Sequence, residues 1–129
     1  MDKFQLQYRL MILDDLNLAY RGATANNKAS VLNGAYHAQQ AIEKTIKLKV
    51  SVKYGKSLWG HRIEDLIREC KKGNYNIGIP YEISKRAKMY SSWEARCRYY
   101  PQTIVKRNSI LLATKLCYNW LNSGCTALK

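Results

Sequence analysis

Apolar residues recur at three- and four-residue steps along most of the chain, which is the spacing of one face of an α-helix. No segment shows the alternation of a β-strand, and there is no internal repeat. The connections between the periodic segments are short, which favours antiparallel neighbours. The pattern therefore predicts an all-α fold, an antiparallel four-helix up-down bundle with an additional short helix, in one domain over residues 1–129.

Gly, Pro and Asn residues separate the predicted helices. Gly22 is expected to end the first helix, Pro80 to occupy the first position of the fourth, and the segment 96–101 to interrupt that fourth helix. The predicted segments are residues 3–22, residues 28–53, a third helix after the connector 56–61 that closes at residues 71–73, a fourth from residue 80, and residues 103–122.

Two of these helices carry stripes that we expect to face the core. In the first helix the stripe consists of Leu6, Leu10, Leu13, Asn17 and Tyr20. In the last helix it includes Ile104, Val105, Leu111, Leu112, Leu116, Tyr118 and Trp120. The adjacent Asp14 and Asp15 cannot share one helix face, so we interpret them as a solvated residue and a structural salt bridge rather than a catalytic pair.

The second helix is the longest and has two different faces. An apolar stripe runs along one of them, through Val31, Ala35, Ala38, Ile42 and Ile46. The other face is polar and carries His37, Gln40, Lys44 and Lys47. The alanines allow a neighbouring helix to approach closely, so polar groups beside that contact must find partners.

Three polar residues of this helix, Gln39, Gln40 and Glu43, allow two readings. They can form a nucleotide pocket, or a hydrogen-bond network between helices that fixes their register. We favour the network, with the Glu43 carboxylate held by Arg21, Arg96 or Arg98 as one mechanism.

Composition excludes several classes of protein. No run approaches the ~18 apolar residues that a membrane span requires, and the N-terminus does not have the pattern of a secretory signal. We therefore expect a cytoplasmic protein with no membrane association. The four cysteines have no metal-ligand spacing, so we interpret them as small apolar residues and expect no metal and no cofactor. They are Cys70, Cys97, Cys117 and Cys125.

Positive charge is concentrated in one part of the chain. Residues 1–43 hold four Lys or Arg and four acids, whereas residues 44–129 hold 18 bases against five acids and account for the net charge of +13. This asymmetry indicates a polyanionic partner such as nucleic acid, a nucleotide or an acidic protein. The alternative is a basic surface with no dedicated partner.

The strongest binding candidate is a basic and aromatic stretch before and within the last helix. Arginine presents a planar fork that suits phosphate, and tyrosine can stack on a base. The same arginines can instead tie a loop to helix ends, and the two readings have equal weight. The candidate nucleotide or nucleic-acid ligands are Arg96, Arg98, Tyr99, Lys106 and Arg107, extended by Lys44, Lys47 and His61 if the second helix packs nearby.

The two histidines are better explained by structure than by chemistry. We expect His61 to cap the third helix or to bridge to the long helix, with contact to a phosphate or acid–base work as the alternative. We expect His37 to lie on a surface or a dimer face, since no metal-ligand pattern surrounds it.

Three motifs, in this order, resemble the HEPN family of nucleotide-binding domains. The sequence AYHAQQAIEKTIK in the second helix is the most specific. HRIEDL at residues 61–66 and RCRYYP at residues 96–101 follow it. Because Tyr100 stands before the proline, either Arg96 or Arg98 corresponds to the arginine of the family's Arg-Tyr-Pro element.

The resemblance implies a bundle of four main helices that pairs as a homodimer, with a small nucleotidyltransferase as a frequent partner. It also implies, for many members, a ribonuclease site built from Arg and His with four to six residues between them. Neither histidine of this chain has an arginine at that spacing. Arg107 is followed at the corresponding positions by Leu112, Ala113 and Thr114, which cannot take up a proton near neutral pH.

We therefore expect a non-catalytic HEPN-type module that recognises nucleotide or nucleic-acid phosphate. Two alternatives remain open at this stage. One is a HEPN ribonuclease acting as a toxin of a toxin–antitoxin system, and the other is a protein-interaction domain that binds no nucleotide.

Overall fold

The computed structural model describes residues 1–124, and this part of the chain is helical with no β-strand. The predicted all-α fold is confirmed. Its elements are α1 (Lys3–Ala23), α2 (Lys28–Tyr54), α3 (Ile63–Lys72), α4 (Tyr81–Ser84), α5 (Ala87–Tyr99) and α6 (Arg107–Asn122). The four longest helices form the bundle, in which α2 packs against α1, α5 and α6, and α1 also packs against α6. The short α3 packs against α2 and α5.

Local capping fixes the ends of α1 and α2 close to the predicted positions. Asp2 accepts a hydrogen bond from the backbone N–H of Gln5, whose side chain bonds back to the N–H of Asp2, so the pair forms a capping box. Asn27 caps α2 through the N–H of Ser30, and Gly55 ends it in the left-handed conformation.

The closest approach in the bundle lies where α1 crosses α2. A Cβ atom added to Gly22 would lie 2.5 Å from Cα of Gly34 and would also collide with the carbonyl of Ser30. Conversely, a Cβ on Gly34 would lie 2.9 Å from the carbonyl oxygen of Ala19. The prediction that Gly22 ends the first helix was wrong, because α1 continues to Ala23. Gly22 is required for helix contact, and two helix backbones meet there.

The prediction for the fourth helix was wrong at both ends. Pro80 is the N-cap rather than the first helical residue, and α4 is a single turn. The segment 96–101 does not interrupt a helix at its start, since α5 continues through the buried Cys97 to Tyr99. Helix α5 ends at Tyr99 because Tyr100, the residue before Pro101, is driven to the extended region.

The last helix begins four residues later than predicted. The segment 103–106 precedes α6, and three β-branched residues in a row, Thr103, Ile104 and Val105, disfavour helix there. Lys106 is the N-cap with an extended backbone, φ −77° and ψ 131°.

The core-facing stripes of α1 and α6 were also mispredicted in part. Leu6, Leu10 and Tyr20 are exposed, as are Ile104 and Tyr118. The buried apolar residues of the two helices are Ile12, Leu16, Ala19, Ala23, Ile110, Ala113, Cys117, Trp120 and Leu121. Helix α1 is apolar on two sides, and its periodicity does not indicate which side faces the bundle.

Three of the cysteines are buried in the core. Burial raises the pKa of Cys97 to about 11 and that of Cys117 to about 12, so these thiols stay protonated and act as apolar side chains. Cys125 lies outside the described residues.

Within residues 1–124 no group of His, Cys, Asp or Glu side chains is arranged to hold a metal ion. Among the same residues no helix has the length and apolar content to cross a bilayer.

Candidate nucleic-acid interface

A network of polar side chains runs along one face of α2 and ties it to α1. Its first centre is Asp15 of α1, which is buried. Its Oδ2 atom lies 2.7 Å from Nζ of Lys44, and its Oδ1 atom lies 2.8 Å from Nδ1 of His37. Lys44 also donates to Oε1 of Gln40 at 3.3 Å. The buried carboxylate thus has a cation and an imidazole as partners, while its neighbour Asp14 is exposed as expected.

The second centre is Glu43, one turn further along the chain from Gln39. Gln40 donates to Oε1 of Gln39 at 2.7 Å, and Gln39 donates to Oε1 of Glu43 at 3.1 Å and to the carbonyl of His61 at 3.2 Å. The other carboxylate oxygen of Glu43 lies 3.0 Å from Nζ of Lys47 and 3.1 Å from Nδ1 of His61. The network therefore joins α1, α2 and the connector before α3.

This network supports the structural reading of Gln39, Gln40 and Glu43, corrects two expectations and agrees with a third. Glu43 is paired with a lysine and a histidine rather than with an arginine. His37 is half-buried against Asp15 and is not a free surface residue. The expected bridge from His61 to the long helix is present.

Lys44 and Lys47 are not available cations, which changes their place in the predicted site. Each is largely buried and pairs with a carboxylate on the bundle side. A phosphate could bind either lysine only by displacing the buried carboxylate that already pairs with it away from water. We therefore assign both lysines to the network and not to a nucleic-acid surface.

The geometry around His61 defines the role of each ring nitrogen. An ionised Glu43 can only accept a hydrogen bond, so Nδ1 of His61 is the donor. The side chain is otherwise exposed, which leaves Nε2 facing solvent.

Near the same carboxylates, burial and the charges of Glu43 and Asp15 raise the pKa of Tyr8 to about 12, so its phenol remains a neutral donor.

The second group of predicted residues lies where α5 ends and α6 begins, and we call it the α5–α6 junction: Arg96, Arg98, Tyr99 and Lys106. The guanidinium of Arg98 lies 4.8 Å from the ring centroid of Tyr36 and 5.0 Å from that of Tyr99. All four junction side chains are exposed, and none of its three cations pairs with a carboxylate among the described residues.

Arg107 is also exposed, but backbone carbonyls engage its guanidinium. Its Nη1 atom donates to the carbonyl oxygens of Ala23 and Ala25, the first at 2.9 Å. These carbonyls belong to the end of α1 and the turn after it, so Arg107 ties α6 to the α1–α2 turn. This is the structural role that the sequence left open, and we remove Arg107 from the binding surface.

The structure thus divides the predicted site in two. Arg98 reaches α2 through Tyr36, whose ring lies 5.2 Å from that of His37 at the start of the polar network. Lys44, Lys47 and His61 belong to the network itself. Sequence reasoning missed Tyr36 as the partner of Arg98, although its place beside His37 in the most specific motif was a usable signal. It also missed Asp15 as the anchor of that face.

Comparison with protein families gives one match. The sequence model described as the HEPN domain matches residues 15–110, which includes α2, α3, α5 and the start of α6. The chain belongs to the HEPN domain family. No curated protein and no solved structure matches the chain. The segment AYHAQQAIEKTIK supplies most of the polar network, and residues 96–101 lie at the junction, where Arg98 contacts Tyr36 of α2.

Proposed function

We propose that this HEPN domain binds nucleic acid or nucleotide phosphate through the α5–α6 junction without cleaving it. The observation that carries the proposal is the contrast among the cations of the site. Lys44 and Lys47 are neutralised by Asp15 and Glu43, whereas the junction cations are exposed and have no carboxylate partner within residues 1–124. Exposed, unpaired cations beside an aromatic ring are the combination that phosphate and base recognition uses.

The start of α6 adds backbone donors to the same surface. No side chain caps this helix, and the intrahelical bonds to the carbonyl of Lys106 begin only at the N–H groups of Ser109 and Ile110. The amides of Arg107 and Asn108 are therefore free to face an anion, and the helix dipole favours negative charge there. Lys106, as the N-cap residue, places its cation at this end of the helix.

The chemistry for RNA cleavage is incomplete at the place where the family would have it. The positions that follow Arg107 at the ribonuclease spacing lie inside α6, where Ala113 is buried and Thr114 donates to the carbonyl of Ile110. Neither side chain, nor that of Leu112, can take a proton from a 2′-hydroxyl near neutral pH. Arg107 itself is engaged with two backbone carbonyls. These contacts support a binding role over the toxin alternative.

The binding proposal is tested by titrating a labelled single-stranded RNA and following its fluorescence anisotropy. The variant that combines Arg96→Ala, Arg98→Ala and Lys106→Ala should bind at least tenfold more weakly than the unmodified protein. A control with the same loss of charge on α3 should keep most of the affinity: Arg68→Ala, Lys71→Ala and Lys72→Ala. Equal losses of RNA affinity in the two variants would show that only net charge matters. RNA cleavage by the unmodified protein that disappears with Arg107→Ala would show that the domain is an enzyme.

We also propose that the domain forms a homodimer through the exposed side of α1 and α6. A groove of about 430 Å³ lies between these helices, and the surface exposed inside it is mostly apolar. It is lined by Leu13, Leu16, Asn17, Tyr20, Leu111, Thr114, Lys115 and Tyr118. Together with the exposed Leu10, this face gives α1 the second apolar stripe that the bundle does not use.

The dimer is tested by sedimentation velocity with charges placed on that face. The combination of Leu10→Glu and Tyr118→Glu should convert the protein to a monomer while its far-ultraviolet circular dichroism stays unchanged. A monomer before substitution would contradict the proposal.

A small nucleotidyltransferase, the partner that the family suggests, is proposed as a second binding partner of the domain. Co-expression of the two proteins followed by co-purification checks this proposal.

A further inference from the structure

A second groove, away from the α5–α6 junction, lies between the start of α1, the second half of α2 and the connector before α3. It has a volume of about 550 Å³ and is open to solvent. Its lining includes the aromatic residues Phe4, Tyr8 and Trp59, together with Lys47 and Lys56. Lys47 belongs to the polar network and Tyr8 packs against the core, but neither the network nor the core accounts for the exposed Phe4, Trp59 and Lys56.

The two aromatic rings at this groove are unusually exposed. Phe4 is 87 % exposed and Trp59 is 85 % exposed, whereas Trp93 and Trp120 are each 4 % exposed in the core. Neither Phe4 nor Trp59 stacks on another ring within residues 1–124. Large aromatic surfaces left in water beside one groove indicate a ligand that covers them. The partly buried Tyr8 adds a hydroxyl donor.

The polar residues of the groove select the kind of ligand. Lys56 is exposed and pairs with no carboxylate among the described residues, so its ammonium can meet an anion. The one acid in the lining, Asp2, is engaged in capping α1. Gln5 donates to Oγ of Ser51 at 3.0 Å and accepts from the N–H of Asp2, which leaves one amide N–H of Gln5 and the hydroxyl of Ser51 at the groove for the edge of a base. An aromatic ring can stack on the flat face of a base, a free cation can bind its phosphate, and amide groups can bond to the edge of the base. The groove therefore suits a nucleotide.

We propose that this groove binds the bases of single-stranded nucleic acid, with Phe4 and Trp59 stacking on them and Lys56 contacting the adjoining phosphate. The site is separate from the α5–α6 junction, and its contribution comes from stacking rather than from charge alone. Stacking tolerates any base, so the groove discriminates unpaired bases from duplex rather than one sequence from another.

The test uses Trp59 as a built-in probe, because the protein's other two tryptophans are buried. A single-stranded oligonucleotide of twelve uridines should quench the tryptophan fluorescence in a saturable way. An oligonucleotide of the same length and charge without bases should not. The variant Phe4→Ala should weaken the uridine titration at least fivefold. The matched control Tyr81→Ala, which removes an exposed aromatic residue from α4, should leave the titration unchanged.

Three results would overturn this proposal. The first is equal quenching by the oligonucleotide without bases, and the second is an unchanged titration in Phe4→Ala with its melting temperature preserved. The third is loss of self-association in Phe4→Ala, which would make the groove a protein interface. The junction variant separates this proposal from the proposed function: saturable quenching that persists in that variant supports the groove, whether or not the variant loses overall RNA affinity.

Discussion

Lys44 of α2 and Asp15 of α1 form an ion pair with Nζ and Oδ2 2.7 Å apart, and their side chains are only 16 % and 10 % exposed. His37 binds the other oxygen of the same carboxylate. Lys44 was predicted from the sequence as a phosphate ligand. In the structure it connects α2 to α1 through this ion pair. Much of the family's most specific motif thus maintains the packing of α1 on α2.

The Lys44–Asp15 pair should be important for stability. We expect Lys44→Met to lower the free energy of unfolding by roughly 2–3 kcal/mol, because a mostly buried carboxylate loses its cation. Denaturant titration measures this loss, and Lys88→Met, at an exposed position of α5, should change stability by less than about 0.5 kcal/mol. A larger loss of RNA affinity than of stability in Lys44→Met would contradict our assignment of this lysine.

The contact between Gly22 and Gly34 should not tolerate a larger residue. We expect Gly34→Ala to destabilise the protein by about 1–3 kcal/mol, since its Cβ would overlap the carbonyl of Ala19 and the backbone of Gly22. The neighbouring exposed residue provides the control, because Asn33→Ala should be neutral or slightly stabilising in a helix. Thermal unfolding compares the two, and a stabilised Gly34→Ala variant would show that the helices do not approach as described.

The raised pKa of Tyr8 should make stability fall at high pH. The phenol ionises near pH 10 in the unfolded chain and near pH 12 in the folded one, so the folded state holds the proton more tightly. Its contribution is complete below pH 10 and is lost as the pH rises from 10 to 12. Tyr8→Phe should therefore show a shallower decline of stability in that interval, measured by urea titration at each pH. Tyr81→Phe, at an exposed site, should keep the slope of the unmodified protein.

The hydroxyl of Tyr90 is buried and has no hydrogen-bond partner within residues 1–124. An unsatisfied buried polar group costs roughly 1–3 kcal/mol, so Tyr90→Phe should leave stability unchanged or raise it by up to about 1 kcal/mol. The comparison is Tyr54→Phe, which removes the acceptor of the Asn76 N–H at 2.8 Å and should cost about 1 kcal/mol. A Tyr90→Phe variant that loses more than Tyr54→Phe would reveal a partner for the hydroxyl.

Periodicity and capping residues were sufficient to predict the helices with clear signals. Asn27 and Gly55 mark both ends of α2, whereas the capping box of Asp2 and Gln5 at the start of α1 was found only in the structure. The pattern failed where a helix has apolar residues on more than one side, as α1 does with the buried Ile12 and the exposed Leu10. Spacing alone does not tell which side meets the bundle and which meets another molecule.

The site was predicted in its residue types and only partly in their roles. The sequence identified the basic residues but could not pair them, because a lysine's partner depends on which helix lies opposite. Asp15 is 29 positions from Lys44 in sequence, and Arg107 is 84 positions from Ala23. Such contacts arise from the crossing of α1 with α2 and from the seating of α6 on the α1–α2 turn.

The salt dependence of RNA binding tests the central claim, that exposed junction cations bind phosphate while Lys44 and Lys47 hold the fold together. Each phosphate contact on a single strand adds about 0.7 to the slope of log affinity against log salt concentration. Loss of Arg96, Arg98 and Lys106 should therefore lower the magnitude of that slope by about 2, while the α3 control keeps it. A slope that is unchanged in the junction variant and reduced in Lys47→Met would contradict the account.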